Sequence, residues 1–258
     1  MKREAWGGIH EAASDRRSGA AEIVRRAAEA LAVLPSNDLQ GAVVTLIRGQ
    51  PSMAPLWRLS SEALSSADHV EAARTFAVRV AAEPGEIAKR AAAFLPDSVV
   101  VHSFSSTVVA AVVAAGAEVV CSRSEPGGEG ERMATELTGL GVETRLVDDE
   151  DALHAVADTG AVVVGADAVG PAGVVNKVGT RLMAEAARRH SIPCHALAGE
   201  SKLLGADLPA PHPFERTPLG LFTSVVTEVG PLSPTEAARR SSQHTLHPLL
   251  AGLLEERR

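Results

Sequence analysis

The sequence predicts an α/β protein with an N-terminal helical domain and a C-terminal domain built on a parallel sheet. Up to about residue 95, apolar residues follow helical patterns and no run of β-branched residues occurs. After residue 96, short apolar runs alternate with amphipathic stretches, which is typical of a parallel sheet with helices on both faces. We therefore divide the 258 residues into an N-terminal helical domain, 1–95, and a Rossmann-like α/β domain, 96–258.

The first domain is predicted to be helical because its segments are alanine-rich and amphipathic, and because residues that cap or end helices separate them. Pro35 ends the first segment, and Asn37 or Asp38 lies where a helix cap is expected. Pro96 and Asp97 close the last segment. The predicted helices cover 20–34, 37–47, 57–64, 70–82 and 86–94.

The second domain is predicted from six short apolar runs and the amphipathic segments between them. The predicted strands cover 98–101, 117–121, 142–147, 161–164, 192–197 and 224–227. The predicted helices cover 105–115, 130–140, 149–157 and 179–190. Right-handed crossovers are expected between neighbouring parallel strands.

The composition excludes several classes of function. A net charge of −7 and an aromatic content of 3%, with no tyrosine, argue against direct nucleic-acid binding. No apolar run is long enough for a membrane span and no secretory leader is visible, so we expect a cytoplasmic protein without a membrane partner. Cys121 and Cys194 fit no disulfide framework, and the histidines form no metal-binding spacing. No metal and no cofactor are therefore expected.

Segments that are polar, contain glycine or do both follow five of the predicted strands. In open parallel sheets, ligands bind beyond the carboxyl ends of the strands, near the point where the strand order reverses. The segments at this edge are 102–106, 122–130, 165–167, 199–202 and 228–230. Their convergence predicts a ligand-binding site there.

Three serines at the end of the first strand are candidates for binding an anion. Ser103, Ser105 and Ser106 precede a predicted helix, and at least one of them is expected to cap it. Free N–H groups at a helix start also bind anions, and the two roles are compatible. The nearby glycines lack the spacing of either standard nucleotide-phosphate loop.

A glycine-rich turn after the fourth predicted strand carries three candidate side chains. Asp167 ends the strand, and Asn176 and Lys177 follow a second turn. If 168–175 fold back, the carboxylate and the ammonium form an acid/base and anion-holding pair in a cleft. The alternative is a polar turn, in which Asp167 only forms the turn.

At this segment the chain resembles a known family. "GADAVGPAGVVNKVGT", 165–180, resembles the family pattern GAD-x(4)-NG-x(2)-NK-[IV]-GT, with Ala172-Gly173 in place of Asn-Gly. "TEVGPLSP", 227–234, and the segments "SDRRSGAAEIVRRAAEAL" and "QPSMAPLWRL" are also similar. The family contains the alpha, beta and delta subunits of translation initiation factor 2B, methylthioribose-1-phosphate isomerase and ribose-1,5-bisphosphate isomerase. The resemblance covers nearly the whole chain and implies this two-part architecture and a homodimer formed through the C-terminal domain.

The resemblance also implies roles for individual residues. The isomerases use an aspartate and a cysteine, which correspond here to Asp167 and Ser103. A serine hydroxyl is a poor acid or base near pH 7 without activation, and His102 is expected to point to the opposite face of its strand. Arginine is absent from the three positions where the family's phosphate-binding arginines align. Asn176, Lys177 and Lys202 are the ligand contacts that match the family. The full set of predicted ligand-binding residues is Ser105, Ser106, Asn176, Lys177, Lys202, Gly19, Ala20 and Arg123.

These observations favour one function and leave two alternatives open. The favoured function is that of an initiation factor 2B-like regulatory protein that binds a small phosphorylated metabolite, a sugar phosphate or a nucleotide, with translation-factor subunits as possible partners. The first alternative is a divergent aldose–ketose sugar-phosphate isomerase, which the replacement of the cysteine by Ser103 disfavours. The second is a structural dimerisation module, which the retained polar residues of the turn disfavour.

Overall fold

The N-terminal part of the chain is helical. The computed structural model describes residues 2–256, and its first five helices are α1 (Lys2–Ser14), α2 (Ala20–Leu31), α3 (Leu39–Gly49), α4 (Ala54–Ser65) and α5 (His69–Ala92). Their apolar faces pack around Trp57, which is fully buried. The helical character predicted for this region is therefore confirmed.

Helix α5 corrects one detail of the sequence prediction. The segments 70–82 and 86–94 were predicted as separate helices, but one helix of 24 residues runs through Pro84. Proline normally breaks a helix because it lacks an N–H and collides with the preceding turn. Here Phe76 and Val80 pack in the helical core, while Ile87 and Ala91 pack against the sheet. Burial on both sides of the proline holds the helix continuous.

The C-terminal part contains a seven-stranded sheet. The strands of the described residues are β1 (Ser98–His102), β2 (Glu118–Ser122), β3 (Thr144–Val147), β4 (Ala161–Val164), β5 (Ala168–Gly170), β6 (Gly173–Lys177), β7 (Cys194–Leu197), β8 (Phe214–Thr217), β9 (Ser224–Thr227) and β10 (Gly230–Leu232). The large sheet has the order β10-β9-β7-β4-β1-β2-β3, and only β10 is antiparallel to its neighbour. The mostly parallel sheet confirms the predicted fold class.

Helices cover both faces of this sheet, because alternate strand residues point to opposite sides. Val99 and Val101 of β1 face one side, where α5, α6 (Ser106–Ala115) and α7 (Glu129–Gly139) pack. Val100 faces the other side, where α8 (Asp149–Ala155), α9 (Thr180–Arg189) and α10 (Pro234–Ser242) pack. The last helix, α11 (Pro248–Glu255), instead buries Leu250 and Leu254 in the helical core. The domain boundary near residue 95 stays a prediction.

A small second sheet was not predicted as strands. Strands β5, β6 and β8 form an antiparallel sheet, and β5 and β6 are joined as a hairpin by the turn at residues 171 and 172. Strands β5 and β6 are three and five residues long and end and begin at glycines, so their sequence indicates a turn rather than a sheet. Among residues 2–256, no helix combines the length and apolar character that crossing a membrane requires.

Candidate ligand-binding cavity

A cavity of about 740 Å³ lies where the strand order reverses. In the large sheet, β2 and β3 follow β1 toward one edge, whereas β4 lies on the other side of β1. Ser103 follows β1 and Asp167 follows β4, and both residues line the cavity. Residues of helices α2 and α5 also line it, so the cavity lies between the helical part and the sheet.

One side of the cavity, which we call the strand-end wall, consists of residues 103–107. Ser103 adopts a left-handed backbone conformation with φ of 65°, and its N–H donates to the Ser124 hydroxyl at 2.7 Å. The Ser105 side chain caps α6 by accepting from the Val108 N–H at 3.4 Å, as the sequence predicts for one of these serines. The hydroxyls of Ser103 and Ser106 make no hydrogen bond with other described residues, so both are free for a ligand.

The N-termini of two helices meet at this wall. Gly19 precedes α2, and a Cβ placed on it would lie 3.7 Å from the Ser106 hydroxyl oxygen at the start of α6. Gly19, Ala20, Ser105 and Ser106 all line the cavity. Because the first N–H groups of a helix have no partner inside it, two converging helix starts favour a negatively charged group between them.

A second side, which we call the hairpin wall, is formed by residues from both ends of the segment 165–177. The Asp167 N–H donates to the Val175 carbonyl at 2.8 Å, so the chain folds back as predicted. The Asn176 amide donates to the Thr180 hydroxyl at 3.0 Å, and this hydroxyl donates to the Lys177 carbonyl at 2.7 Å. Asn176 therefore lines the cavity while also tying the hairpin to the start of α9.

Lys177 does not form the pair with Asp167 that the sequence suggests. Its ammonium lies 2.7 and 2.6 Å from the two carboxylate oxygens of Glu129 and also donates to the Pro126 carbonyl. Since a lysine has three N–H donors, these contacts use all of them. Lys177 is 3% exposed, so its ammonium is buried in a complete set of contacts within the chain.

The ammonium whose charge acts on Asp167 is Lys202. Burial raises the pKa of the Asp167 carboxyl from its ordinary value of 3.8 to about 6, and the positive charge of Lys202 partly opposes this rise. Burial lowers the pKa of Lys202, against the opposing effects of Asp167 and Glu83. Glu83 accepts from the Ser201 N–H at 2.9 Å and from its hydroxyl at 2.6 Å, which fixes the segment that carries Lys202.

The arginines that line the cavity differ from Arg123, the arginine that the sequence predicts as a ligand-binding residue. Arg123 is outside the cavity lining, because its guanidinium pairs with Asp148 at 2.8 Å and Glu131 at 2.7 Å. Arg17 and Arg132 line the cavity and are exposed. The Arg132 guanidinium lies 3.6 Å from the centre of the Phe104 ring and donates to the Arg17 carbonyl.

Arg132 was missed because its contribution depends on α7 facing the α1–α2 connection, which no local pattern encodes. Arg17 lies in the segment SDRRSGAAEIVRRAAEAL but is not among the ligand-binding residues expected from the sequence. Its guanidinium makes no hydrogen bond or ion pair with residues 2–256, so it is available to an anion.

Among the described residues, 2–256, no base contacts the Ser103 hydroxyl. The ring of His102 points away from the cavity and lies 2.7 Å from the Ser122 hydroxyl and 2.8 Å from the Val178 carbonyl. Burial lowers the pKa of His102. Cys121 and Cys194 are buried, and burial raises the pKa of each thiol to about 12. Within residues 2–256, no three His, Cys, Asp or Glu side chains form a group that could hold a metal ion.

The family of the chain follows from its sequence. Residues 10–207 match the model of the initiation factor 2 subunit family, and the chain belongs to this family. It is 28% identical to a Pyrococcus horikoshii protein named as translation initiation factor eIF-2B subunit 2-like, over 88% of this chain and 95% of the relative. It is 35% identical to the ribose 1,5-bisphosphate isomerase of Haloferax volcanii, over 42% of this chain and 35% of that enzyme. The family resemblance is thus confirmed for both its translation-factor and its isomerase branches.

Solved structures give the same fold. The crystal structure of translation initiation factor eIF-2B from P. horikoshii OT3 matches with a TM-score of 0.80 and 25% identity, over 90% of this chain and 97% of that one. The tetrameric complex of eIF2B beta and delta subunits from C. thermophilum matches with a TM-score of 0.78 and 19% identity, over 94% of each chain. At 19% identity, this similarity shows a shared fold alone.

Proposed function

We propose that this protein is an initiation factor 2B-like regulatory protein that binds a small phosphorylated metabolite in the cavity, without standard isomerase chemistry. The observation that carries the proposal is the composition of one continuous lining. It combines two helix starts, the unpaired guanidinium of Arg17 and free serine hydroxyls with Asp167 and Lys202. The phosphate binds between the starts of α2 and α6, near Arg17, and the sugar hydroxyls face Asp167 and Lys202.

The strand-end wall argues against isomerase chemistry. Proton transfer between neighbouring carbons requires a group that gives and takes a proton near neutral pH. Ser103 occupies the position of the family's cysteine, and no histidine or carboxylate of the described chain contacts its hydroxyl. The cavity therefore supports binding better than turnover.

One observation favours the isomerase as a second candidate function. The carboxyl of Asp167, with a pKa of about 6, exchanges its proton near neutral pH, as a general base must. In this case the protein would convert ribose 1,5-bisphosphate or methylthioribose 1-phosphate to the corresponding ketose. Ketose formation that is lost in both Asp167→Asn and Ser103→Ala would establish this activity in place of the proposed one.

The binding function is tested by thermal unfolding with sugar phosphates and nucleotides. A ligand that binds only the native state raises the melting temperature, and 100 times its Kd adds about 2.7 kcal/mol of stability. We expect a sugar phosphate or a nucleotide to stabilise the protein and Lys202→Met to abolish the effect, while Arg188→Met on the outside of α9 retains it. A complete absence of stabilisation by all of these compounds would disprove the proposal.

We further propose that the protein forms a homodimer through its C-terminal domain and contacts translation-factor subunits. The family membership and the likeness to a solved eIF2B beta–delta complex support this assembly. Sedimentation at micromolar concentration measures the dimer, and co-purification from the native host identifies the subunits.

A further inference from the structure

The charges inside the cavity are arranged in two zones. The exposed zone carries the guanidinium groups of Arg16, Arg17 and Arg132, with one carboxylate, that of Asp15, beside them. The inner zone carries two ammonium groups, Lys177 and Lys202, and three carboxyls, those of Glu83, Glu129 and Asp167. Only the exposed zone therefore has an excess of positive charge for an anionic group of a ligand.

Near the hairpin wall, the Glu129 carboxylate determines whether the ammonium of Lys177 is accessible to a ligand. Its carboxylate lies on the first turn of α7 and holds Lys177 through two contacts of 2.6 and 2.7 Å. The Glu129 side chain is 37% exposed, whereas that of Lys177 is 3% exposed. A ligand that enters the cavity therefore meets the carboxylate, while the ammonium is closed off behind it.

This arrangement affects ligands with one and two phosphate groups differently. A second phosphate that extends toward the hairpin wall finds no free N–H on Lys177, because Glu129 and the Pro126 carbonyl use all three. It also meets the negative charge of Glu129, and like charges at a few ångströms repel strongly in a partly enclosed site. An uncharged sugar end has no such penalty and accepts or donates hydrogen bonds there.

We infer that Glu129 is a specificity-determining residue that restricts the cavity to ligands with a single phosphate group by occupying Lys177. This inference rests on the proposed function. The carboxylate acts as an internal anion in the place that a second phosphate would take. Lys177 then serves to hold Glu129 rather than to bind the ligand.

The test compares ribose 5-phosphate with ribose 1,5-bisphosphate by titration calorimetry. We expect the native protein to bind ribose 5-phosphate at least about tenfold more tightly, a ratio that corresponds to about 1.4 kcal/mol. In Glu129→Gln the affinity for the bisphosphate should rise by about tenfold, while that for the monophosphate changes by less than about threefold. Glu131→Gln is the matched control, because Glu131 lies on the same helix and pairs with Arg123 outside the cavity lining.

A second variant decides the question if Glu129→Gln does not fold with its buried ammonium unpaired. Glu129→Gln/Lys177→Gln buries no charge, and it should keep the monophosphate affinity within about threefold while gaining none for the bisphosphate. Equal affinities of the native protein for both compounds, an unchanged ratio in Glu129→Gln or a tenfold loss of monophosphate binding in the double variant would overturn the inference. Binding of ribose 5-phosphate to the native protein would leave the proposed function standing in each of these cases. If the native protein binds none of the sugar phosphates or nucleotides, the proposed function fails and this inference fails with it.

Discussion

The strand-end wall and the hairpin wall of the cavity differ in what their polar groups contact. On the hairpin wall, Asn176 bonds to Thr180 and Lys177 bonds to Glu129 and Pro126. On the strand-end wall, the hydroxyls of Ser103 and Ser106 make no hydrogen bond within the described chain. The residues that most resemble the family pattern thus hold the site together, whereas the free groups lie on the wall where the pattern is broken.

The largest effect is expected where the two walls touch. A Cβ added to Gly165 of the hairpin wall would lie 2.7 Å from the Cβ of Ser105 and 2.8 Å from its hydroxyl oxygen. Gly165→Ala therefore pushes the walls apart, and overpacking of this kind costs about 1–3 kcal/mol of unfolding free energy. Urea unfolding followed by circular dichroism measures the loss.

Gly220→Ala is the control for this variant, because no atom lies within 4 Å of a Cβ added at Gly220. It should change the free energy of unfolding by less than about 0.5 kcal/mol. Equal stability of the two variants would show that the walls separate without strain. It would contradict the tight contact between the two walls at Gly165.

Asp167 is the exception on the hairpin wall, because its carboxylate has no hydrogen-bond partner among residues 2–256. Its pKa is about 6 in the folded protein and near 3.8 in the unfolded chain. Between these pH values the native state keeps a proton that the unfolded state has lost, so stability falls as the pH rises from about 4 to about 6. Above about pH 6 the full cost of burying the ionised Asp167 carboxylate is present.

Asp167→Asn removes this penalty while keeping the shape of the side chain. The pKa difference corresponds to at most about 3 kcal/mol, and solvent near a half-buried group reduces it to about 1–2 kcal/mol at pH 7.5. The advantage of the variant should shrink to about a third at pH 4.5, as measured by urea unfolding at both pH values. An advantage that does not depend on pH would mean that the folded carboxyl titrates normally.

The sequence located the hairpin wall and most of the sheet, because these features are encoded locally. The valine runs of β4 and β9 predicted both strands to the residue. The path of α5 through Pro84 depends on packing against two different layers, and no local pattern encodes it.

The same holds for the contacts that determine the charge of the cavity. Glu129 lies 48 residues from Lys177 along the chain, and Arg132 lies 115 residues from Arg17. Sequence spacing suggested Asp167 as the partner of Lys177 because the two are close along the chain. The fold instead brings the Glu129 carboxylate from helix α7 to the Lys177 ammonium, and only the assembled structure shows this pair.

The smallest effect on stability is expected for Ser106→Ala, and it tests the contrast between the walls most directly. The Ser106 hydroxyl has no partner in the described chain, so its removal should change the unfolding free energy by less than about 0.5 kcal/mol. Asn176→Ala on the hairpin wall leaves the nearly fully buried Thr180 hydroxyl without its donor and should cost about 1–2 kcal/mol.

The order of the two variants should reverse for ligand binding, measured by the thermal stabilisation that a sugar phosphate gives. Ser106→Ala removes a hydroxyl that faces the phosphate and should weaken binding about tenfold, because hydrogen bonds to charged groups contribute about 1.5–3 kcal/mol. If Ser106→Ala instead destabilises the fold as much as Asn176→Ala, its hydroxyl has a structural partner, and the strand-end wall is not the side that holds the ligand.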